Sequence, residues 1–261
     1  MAIQKVAVIK GSGLLGSKVV DGLLNTDFER VDITSIDSVK DAVIGQDAVV
    51  STATTIASGG QKVIIDAVIA VRVPRFILSV FGIPSRQNRN TKIGKILAAK
   101  VQNTDYLIEL FKQHDCFSWT GLSNGLFLDS NLKNPYSFID IRNRKFRVVD
   151  SGNEPYSTTS LSFVGKAIAS IPKKTEETAN RYINIADKFD VSHASGAEID
   201  KIGDDKISNG DFSAFGNYLE QFLFTDGAGN VLKGYGDAIG LLGRKEESLE
   251  GVIKSVLAGV E

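Results

Sequence analysis

A run of β-branched residues that passes straight into regularly spaced glycines constrains this chain more than anything else in it. Lys5-Val6-Ala7-Val8-Ile9 reads as a buried parallel strand. Gly11, Gly13 and Gly16 follow at the spacing G-x-G-x-x-G, and Leu15, Val19, Leu23 and Leu24 then recur at helical intervals. A strand, a glycine turn and a helix in that order form the entry to a nucleotide site. Gly11 permits the bend, Gly13 lets the backbone approach a pyrophosphate, and Gly16 lets helix and strand pack closely. The helix N-terminus adds unpaired N–H donors and a positive dipole end. Ser12, Leu14 and Leu15 fall within the same candidate cofactor-binding loop. A turn with a purely structural role is the alternative reading of the same glycines.

The alternation continues downstream. Helices are predicted over Leu14–Leu24, Ser38–Ile44, Gln61–Val71 and Thr91–Lys112, and strands over Arg30–Ile33, Asp47–Thr52, Arg75–Val80 and Cys116–Thr120. Asp37 or Ser38 is placed to cap the second helix, and Gly59-Gly60 breaks the chain before the third. This is the pattern of an α/β fold, a Rossmann-like doubly wound parallel sheet. After residue 125 the rhythm changes. Arg144–Asp150 and Arg181–Ala186 read as strands, and Leu161–Ile171, Ser213–Phe224 and Glu246–Leu257 as helices, whereas the Gly- and charge-rich Asp200–Asp211 and Asp226–Gly243 read as mobile surface loops. The expected division is a dinucleotide-binding domain over 1–125 and a smaller α+β substrate lobe over 126–261, closing on the sheet's carboxyl edge. The Leu161–Ile171 helix is a candidate to pack back on the first domain.

With 261 residues, 43% of them hydrophobic, the chain can bury a sizeable core. A net charge of −1 gives no basic field for nucleic acid or an anionic membrane. One cysteine, Cys116, excludes an internal disulfide, and two histidines, His114 and His193, offer no metal-binding spacing. The sequence shows no leader and no bilayer-spanning apolar run, so a cytoplasmic protein with no membrane or nucleic-acid partner is expected.

Within Thr91–Lys112 the apolar positions Ile93, Ile96, Leu97, Val101, Thr104, Leu107, Ile108 and Phe111 form one stripe, and Lys100 lies in it. Lys92, Lys95 and Lys112 fall elsewhere, on the solvated side. A lysine on a buried stripe either snorkels to water or stands in a cleft as a proton donor or electrostatic clamp. The strand end Ser79-Val80-Phe81-Gly82 sets a hydroxyl and a ring where a nicotinamide would lie, and the Asn124 amide could hydrogen-bond a cofactor. An ordinary strand end and an Asn-Gly turn explain them equally. Ser51, Thr52 and Ala53, at the end of another strand, are further candidate cofactor contacts.

Together these stretches resemble the NmrA-like and isoflavone-reductase-like family of atypical short-chain dehydrogenases, its fungal members especially. The resemblance is carried by Gly11–Gly16, Gly45-Gln46-Asp47-Ala48-Val49-Val50-Ser51, Arg75–Gly82, the Lys100 helix, Ser118-Trp119-Thr120-Gly121 and Glu177–Tyr182. It implies NADP(H) binding and hydride transfer to a small aromatic or secondary-metabolite substrate, with Lys100 as the catalytic or orienting group. No tyrosine precedes a lysine by four residues, so the Tyr-x-x-x-Lys pair of ordinary short-chain dehydrogenases is missing. A non-catalytic, dinucleotide-sensing regulator with a protein partner and a degenerate member with impaired cofactor binding are the other readings, and a homodimer is left open.

Three positions depart from the family pattern. Lys10 stands where the loop's first glycine is usual, and Leu78 and Val80 replace the proline and acidic residue of the Pro-Ser-Glu-Phe-Gly motif. The family's second strand has no counterpart, because Asn25–Glu29 runs almost directly into Val31-Asp32-Ile33-Thr34, and the region after Ile185-Ala186-Asp187 is also short. One strand is therefore expected to be missing, with Arg30–Ile33 paired directly to Lys5–Ile9. Asp32 then lies at the spacing of a ribose-binding acid, which keeps NAD possible beside NADP, whereas aligned with the family Val31-Asp32-Ile33-Thr34 is its third strand and Asp32 lies near the adenine edge.

Overall fold

The computed structural model describes residues 3–23, 31–54, 60–114, 117–134, 139–140, 145–147, 149–152, 154–189, 195–229, 238–245, 252 and 254. Strands β1 (Val6–Ile9), β2 (Ala48–Ser51), β3 (Arg75–Leu78) and β4 (Ser118–Ser123) alternate with helices α1 (Leu14–Asp21), α2 (Ile36–Val43), α3 (Gln61–Ala70), α4 (Lys92–Ile96) and α5 (Ala98–Phe111). The chain continues as β5 (Leu126–Phe127), α6 (Leu128–Lys133), β6 (Ile139–Asp140), β7 (Lys145–Phe146), β8 (Tyr156–Thr159) and α7 (Leu161–Ser170). Helix α8 (Thr175–Thr178), β9 (Arg181–Asn184), β10 (Asp187–Phe189), α9 (Gly196–Ser208) and α10 (Ala214–Phe224) complete it.

Five parallel strands make the central sheet in the order β1-β2-β3-β4-β9. Because side chains alternate across a strand, Val49, Phe76, Leu78, Val80 and Trp119 face one way. They pack beneath Val39 and Val43 of α2, Ile64, Ile65 and Val68 of α3, and Leu107 of α5. Val50, Ile77, Leu122 and Ile183 face the other way, against Val19 of α1 and Val164, Ala167 and Ile168 of α7. Helices on both faces define the doubly wound sheet that the alternating pattern predicts. Helix α7 lies on α1 because Gly165 brings the two backbones together, where a Cβ would stand 2.3 Å from the Lys18 carbonyl oxygen.

A third cluster joins Ile83, Ile93 and Leu97 to Leu126, Tyr156, Ala214, Tyr218 and Phe222, so α10 and the β10-β8-β5 sheet meet the main domain at α4. Lys92 reinforces that junction with ion pairs to Asp200 (2.8 Å) and Asp204 (2.7 Å) of α9.

Several expectations need correction. Val31–Ile33 form coil and turn, not a strand, and β1 pairs with β2 alone among the described residues; Arg30 lies outside them. Polar side chains divert this backbone. Asp32 Oδ1 accepts from Thr34 N (2.9 Å) and Thr34 Oγ1 (2.7 Å), and Ser38 Oγ accepts from Asp32 N (3.0 Å). Local capture of this kind competes with a ladder, while Val31 and Ile33 still cover the core. The α2 cap is Ser35, which accepts from Ser38 N, instead of Asp37 or Ser38. The Thr91–Lys112 helix breaks at Leu97.

Asp200–Asp211 is mostly helix, because Ile199 is buried and Gly203 admits the Tyr218 ring, whose nearest atom would lie 2.6 Å from a Cβ there. Ala238, Ile239 and Leu242 are core residues and not loop surface. Strand expectations over Arg144–Asp150 and Arg181–Ala186 contract to Lys145–Phe146 and Arg181–Asn184. Cys116, His193 and most of Glu246–Leu257 lie outside the described residues.

Two glycine substitutions test this packing. Gly165→Val should lose about 1–3 kcal/mol through overpacking against Lys18. Gly216→Ala, inside α10 with nothing within 4 Å of the new methyl, should gain about 0.5–1 kcal/mol. Urea unfolding of both variants reads the difference.

Candidate functional site

The glycine loop sits where β1 gives way to α1. Lys10 takes a left-handed conformation (φ 64°), Gly13 N donates to Lys10 O at 2.9 Å, and α1 begins at Leu14 with no side-chain cap. A lysine thus occupies a backbone conformation that glycine adopts more easily. Gly16 is the closest approach, for a Cβ there would lie 2.1 Å from Lys10 O and 2.8 Å from Thr52 Oγ1. Thr52 holds the loop from the other side, donating from Oγ1 to Ile9 O at 2.9 Å. Ser12 and Leu14 are exposed. A glycine-lined backbone leading to an uncapped helix N-terminus fits a diphosphate.

The neighbouring strand ends are cross-linked. Ser79 Oγ donates to Ala53 O at 2.6 Å, and the buried Gln61 amide clamps the Ser79 backbone, accepting from its N at 3.1 Å and donating to its O at 3.3 Å. The Asn124 amide is similarly engaged. Its Oδ1 accepts from Gly82 N (2.8 Å) and its Nδ2 donates to Thr159 Oγ1 (3.1 Å), which ties the end of β4 to the loop after β3 and to β8. Ser79 and Asn124 therefore build the rim of the site with the groups that sequence reasoning aims at a cofactor. Phe81 packs in the core. Asp32 is exposed in its own turn, where hydrogen bonds from Thr34 hold its carboxyl below the usual range, and no described strand carries it to β1.

Lys100 is the chemically distinctive group. It is 6% exposed, on the first full turn of α5, and Nζ donates to Phe81 O at 2.9 Å. No carboxylate pairs with it among the described residues, and burial lowers its ammonium to about 8. Phe81 O lies just beyond β3, so the cation stands at the carboxyl edge of the sheet, where open α/β sheets take their ligands.

Sequence reasoning missed two residues here, Ser123 and Asn184. Ser123 Oγ and both polar atoms of the Asn184 side chain are buried without a hydrogen-bond partner among the described residues, as is Ser51 Oγ, which the sequence does single out. The signal for Asn184 was an amide between Ile183 and Ile185, where alternation turns it to the face opposite the isoleucines.

Residues 12–150, more than half of the chain, match the family model described as NAD(P)H-binding. The chain belongs to the NAD(P)H-binding family. It is similar to Oxidoreductase aprR of Aspergillus flavus, 34% identical over 149 residues that cover 56% of this chain and 49% of that one. It is also similar to Oxidoreductase poxI of Penicillium oxalicum, 23% identical over 201 residues, covering 69% and 64%. The chain thus spans about half to under two thirds of the length of these curated relatives. Among solved structures, an isoflavone reductase superposes with a TM-score of 0.70 at 13% identity over 94% of this chain and 96% of its own. AtPrR2, solved with NADP+ and (+)pinoresinol, superposes at 0.66 and 16% identity, over 92% and 98%. The doubly wound fold read from the sequence is borne out, and so is the NAD(P)H-binding character that the resemblance implies. Among the described residues no helix is long and apolar enough to cross a membrane.

The buried Lys100 ammonium sets a stability test. Between pH 8 and its ordinary 10.5 the unfolded chain holds a proton that the folded chain has released, so stability rises with pH across that window. Below pH 8 the full cost of burying the charge is present. Lys100→Met should therefore stabilise the protein by about 3 kcal/mol at pH 7, with the gain fading towards pH 10.5. Denaturant unfolding at several pH values measures it.

Proposed function

We propose that this chain is an NAD(P)H-dependent oxidoreductase that reduces a small aromatic or secondary-metabolite substrate, with Lys100 at the reaction centre. The observation that carries the reading is Lys100 itself: a buried ammonium at the sheet's carboxyl edge with no counter-ion among the described residues, held by one carbonyl. The glycine loop would hold the diphosphate of the dinucleotide, which supplies hydride when bound. Gly11, Gly13 and Gly16 give it backbone access, and Thr52 keeps the loop closed on β2.

Lys100 supplies the complementary proton. As hydride adds to an electrophilic carbon, negative charge develops on the substrate oxygen, and the Nζ ammonium stabilises it and transfers a proton to it. With burial holding it to about 8, the group is mostly charged at neutral pH and gives up its proton more readily than an exposed lysine. Phe81 O aims the ammonium. The Ser79 and Asn124 cross-links keep the strand ends rigid around it. The small-molecule substrate and a cytoplasmic setting belong to this reading.

A second reading, a dinucleotide-binding regulator without turnover, draws on the engagement of Ser79 and Asn124 in protein contacts. Lys100→Ala separates the two. In an oxidoreductase it should lower turnover on an identified substrate by roughly 10²–10⁴-fold and change dinucleotide affinity little. A variant as active as the parent would remove Lys100 from the reaction.

Calorimetric titration with NADPH and NADH tests the site beneath both readings. Micromolar binding is expected, weakened in Gly13→Val, whose side chain would stand between the backbone and the diphosphate. No described strand beside β1 offers a residue to grip a 2′-phosphate. NADPH should therefore be preferred by less than about a hundredfold, or about 2.7 kcal/mol. Absence of binding by any dinucleotide would overturn both readings.

A further inference from the structure

Ser123 and Asn184 are register partners at the carboxyl ends of β4 and β9. They face the same side of the sheet as Trp119 and Tyr182, because each lies an even number of residues further along its strand. Helix α5 crosses that side. Thr104 Oγ1 lies 3.0 Å from Tyr182 OH and donates to Lys100 O at 2.8 Å, so one helical turn connects the level of Tyr182 to Lys100, in the direction in which Ser123 and Asn184 follow on their strands. Ser123 is fully buried and Asn184 is 2% exposed, yet Ser123 Oγ, Asn184 Nδ2 and Asn184 Oδ1 have no hydrogen-bond partner among the described residues. Tyr182, two residues away on the same strand and face, has its partner. Buried amides left unpaired are costly and therefore rare, and these cluster at the edge where the sheet takes ligands.

We propose that Asn184, seconded by Ser123, is a binding site for a carboxamide. A carboxamide presents a carbonyl acceptor and an N–H donor side by side, the complement of the donor and acceptor on the Asn184 side chain, and the two groups can exchange a pair of hydrogen bonds. Ser123 Oγ, adjacent in register, takes the remaining N–H or carbonyl lone pair. The carboxamide comes either from the nicotinamide ring of the cofactor or from a second ligand beside it. The proposal builds on the dinucleotide-binding reading and adds to it a residue that orients the reacting ring.

The 261-residue chain is titrated calorimetrically with NADP+, with its 3-acetylpyridine analogue, whose methyl ketone lacks the N–H donor, and with benzamide as a free carboxamide. If the cofactor is the source, the wild type binds NADP+ at least tenfold tighter than the analogue. Asn184→Leu then brings the two within about twofold, and Ser123→Ala, which removes one hydroxyl and spares the core, narrows the gap partway. If a second ligand is the source, the dinucleotide preference survives in Asn184→Leu, while benzamide binding to the NADP+-loaded protein is lost. Unchanged dinucleotide preference together with unchanged benzamide binding in both variants overturns the proposal. Should the wild type bind no dinucleotide, the oxidoreductase reading fails, and benzamide binding to the free protein still decides for Asn184: its loss in Asn184→Leu upholds the site, and its absence from the wild type removes it.

Discussion

The site depends on a contact that leaves no room for a single carbon atom. At Gly16 the first helix, the turn out of β1 and the end of β2 converge so closely that a methyl group would fall 2.1 Å from Lys10 O. Thr52 closes the same point with its hydroxyl and its backbone N–H, both directed at Ile9 O. Everything the loop could do for a phosphate follows from that closeness, since it sets where α1 begins. The parallel ladder then carries the geometry outward from β2 to β3 and β4, and Ser79 and Asn124 fasten the strand ends together.

The parts of the fold that were legible in the sequence are those fixed by periodicity. Val49/Val50 and Phe76/Ile77 alternate into opposite cores, and the α5 stripe carries Lys100 inward with Leu97, Val101 and Leu107. Short-range polar chemistry was harder to read. Val31-Asp32-Ile33-Thr34 has the alternation of a strand, but the Asp32 and Ser38 side chains take the backbone groups a ladder would need. Helix α9 was hidden by charge, because only Ile199 and two glycines of its buried face distinguish it from a loop. In the site, the loop and Lys100 announce themselves by pattern. Gln61 does not: a glutamine at the start of a helix gives no sign that it will clamp a residue 18 positions away.

Electrostatically the sheet is divided. Lys100 stands at its carboxyl end with one carbonyl for company, whereas Arg75, buried at the other end, donates to Thr120 Oγ1 and Thr178 Oγ1 at 2.6 Å and to Ser118 Oγ at 3.1 Å. Burial lowers the guanidinium to about 10, and its solvation is rebuilt from hydroxyls. A buried carboxylate in the lobe, Glu220, is raised to about 7 by desolvation, opposed by Arg147 at 3.3 Å. Of these groups, Lys100 is the one at the carboxyl edge of the sheet, and one backbone carbonyl holds it.

The interruption at Leu97 separates what holds α4 from what holds α5. Helices α9 and α10 meet α4 through Ile93, Leu97 and the Lys92 ion pairs. The register of α5, by contrast, is fixed from the sheet side through Thr104 and Phe81. Substitutions at Tyr218, Phe222 and their neighbours would therefore bear first on α4, a helix of five residues. Lys100 is held separately, from the sheet side, by Phe81 O.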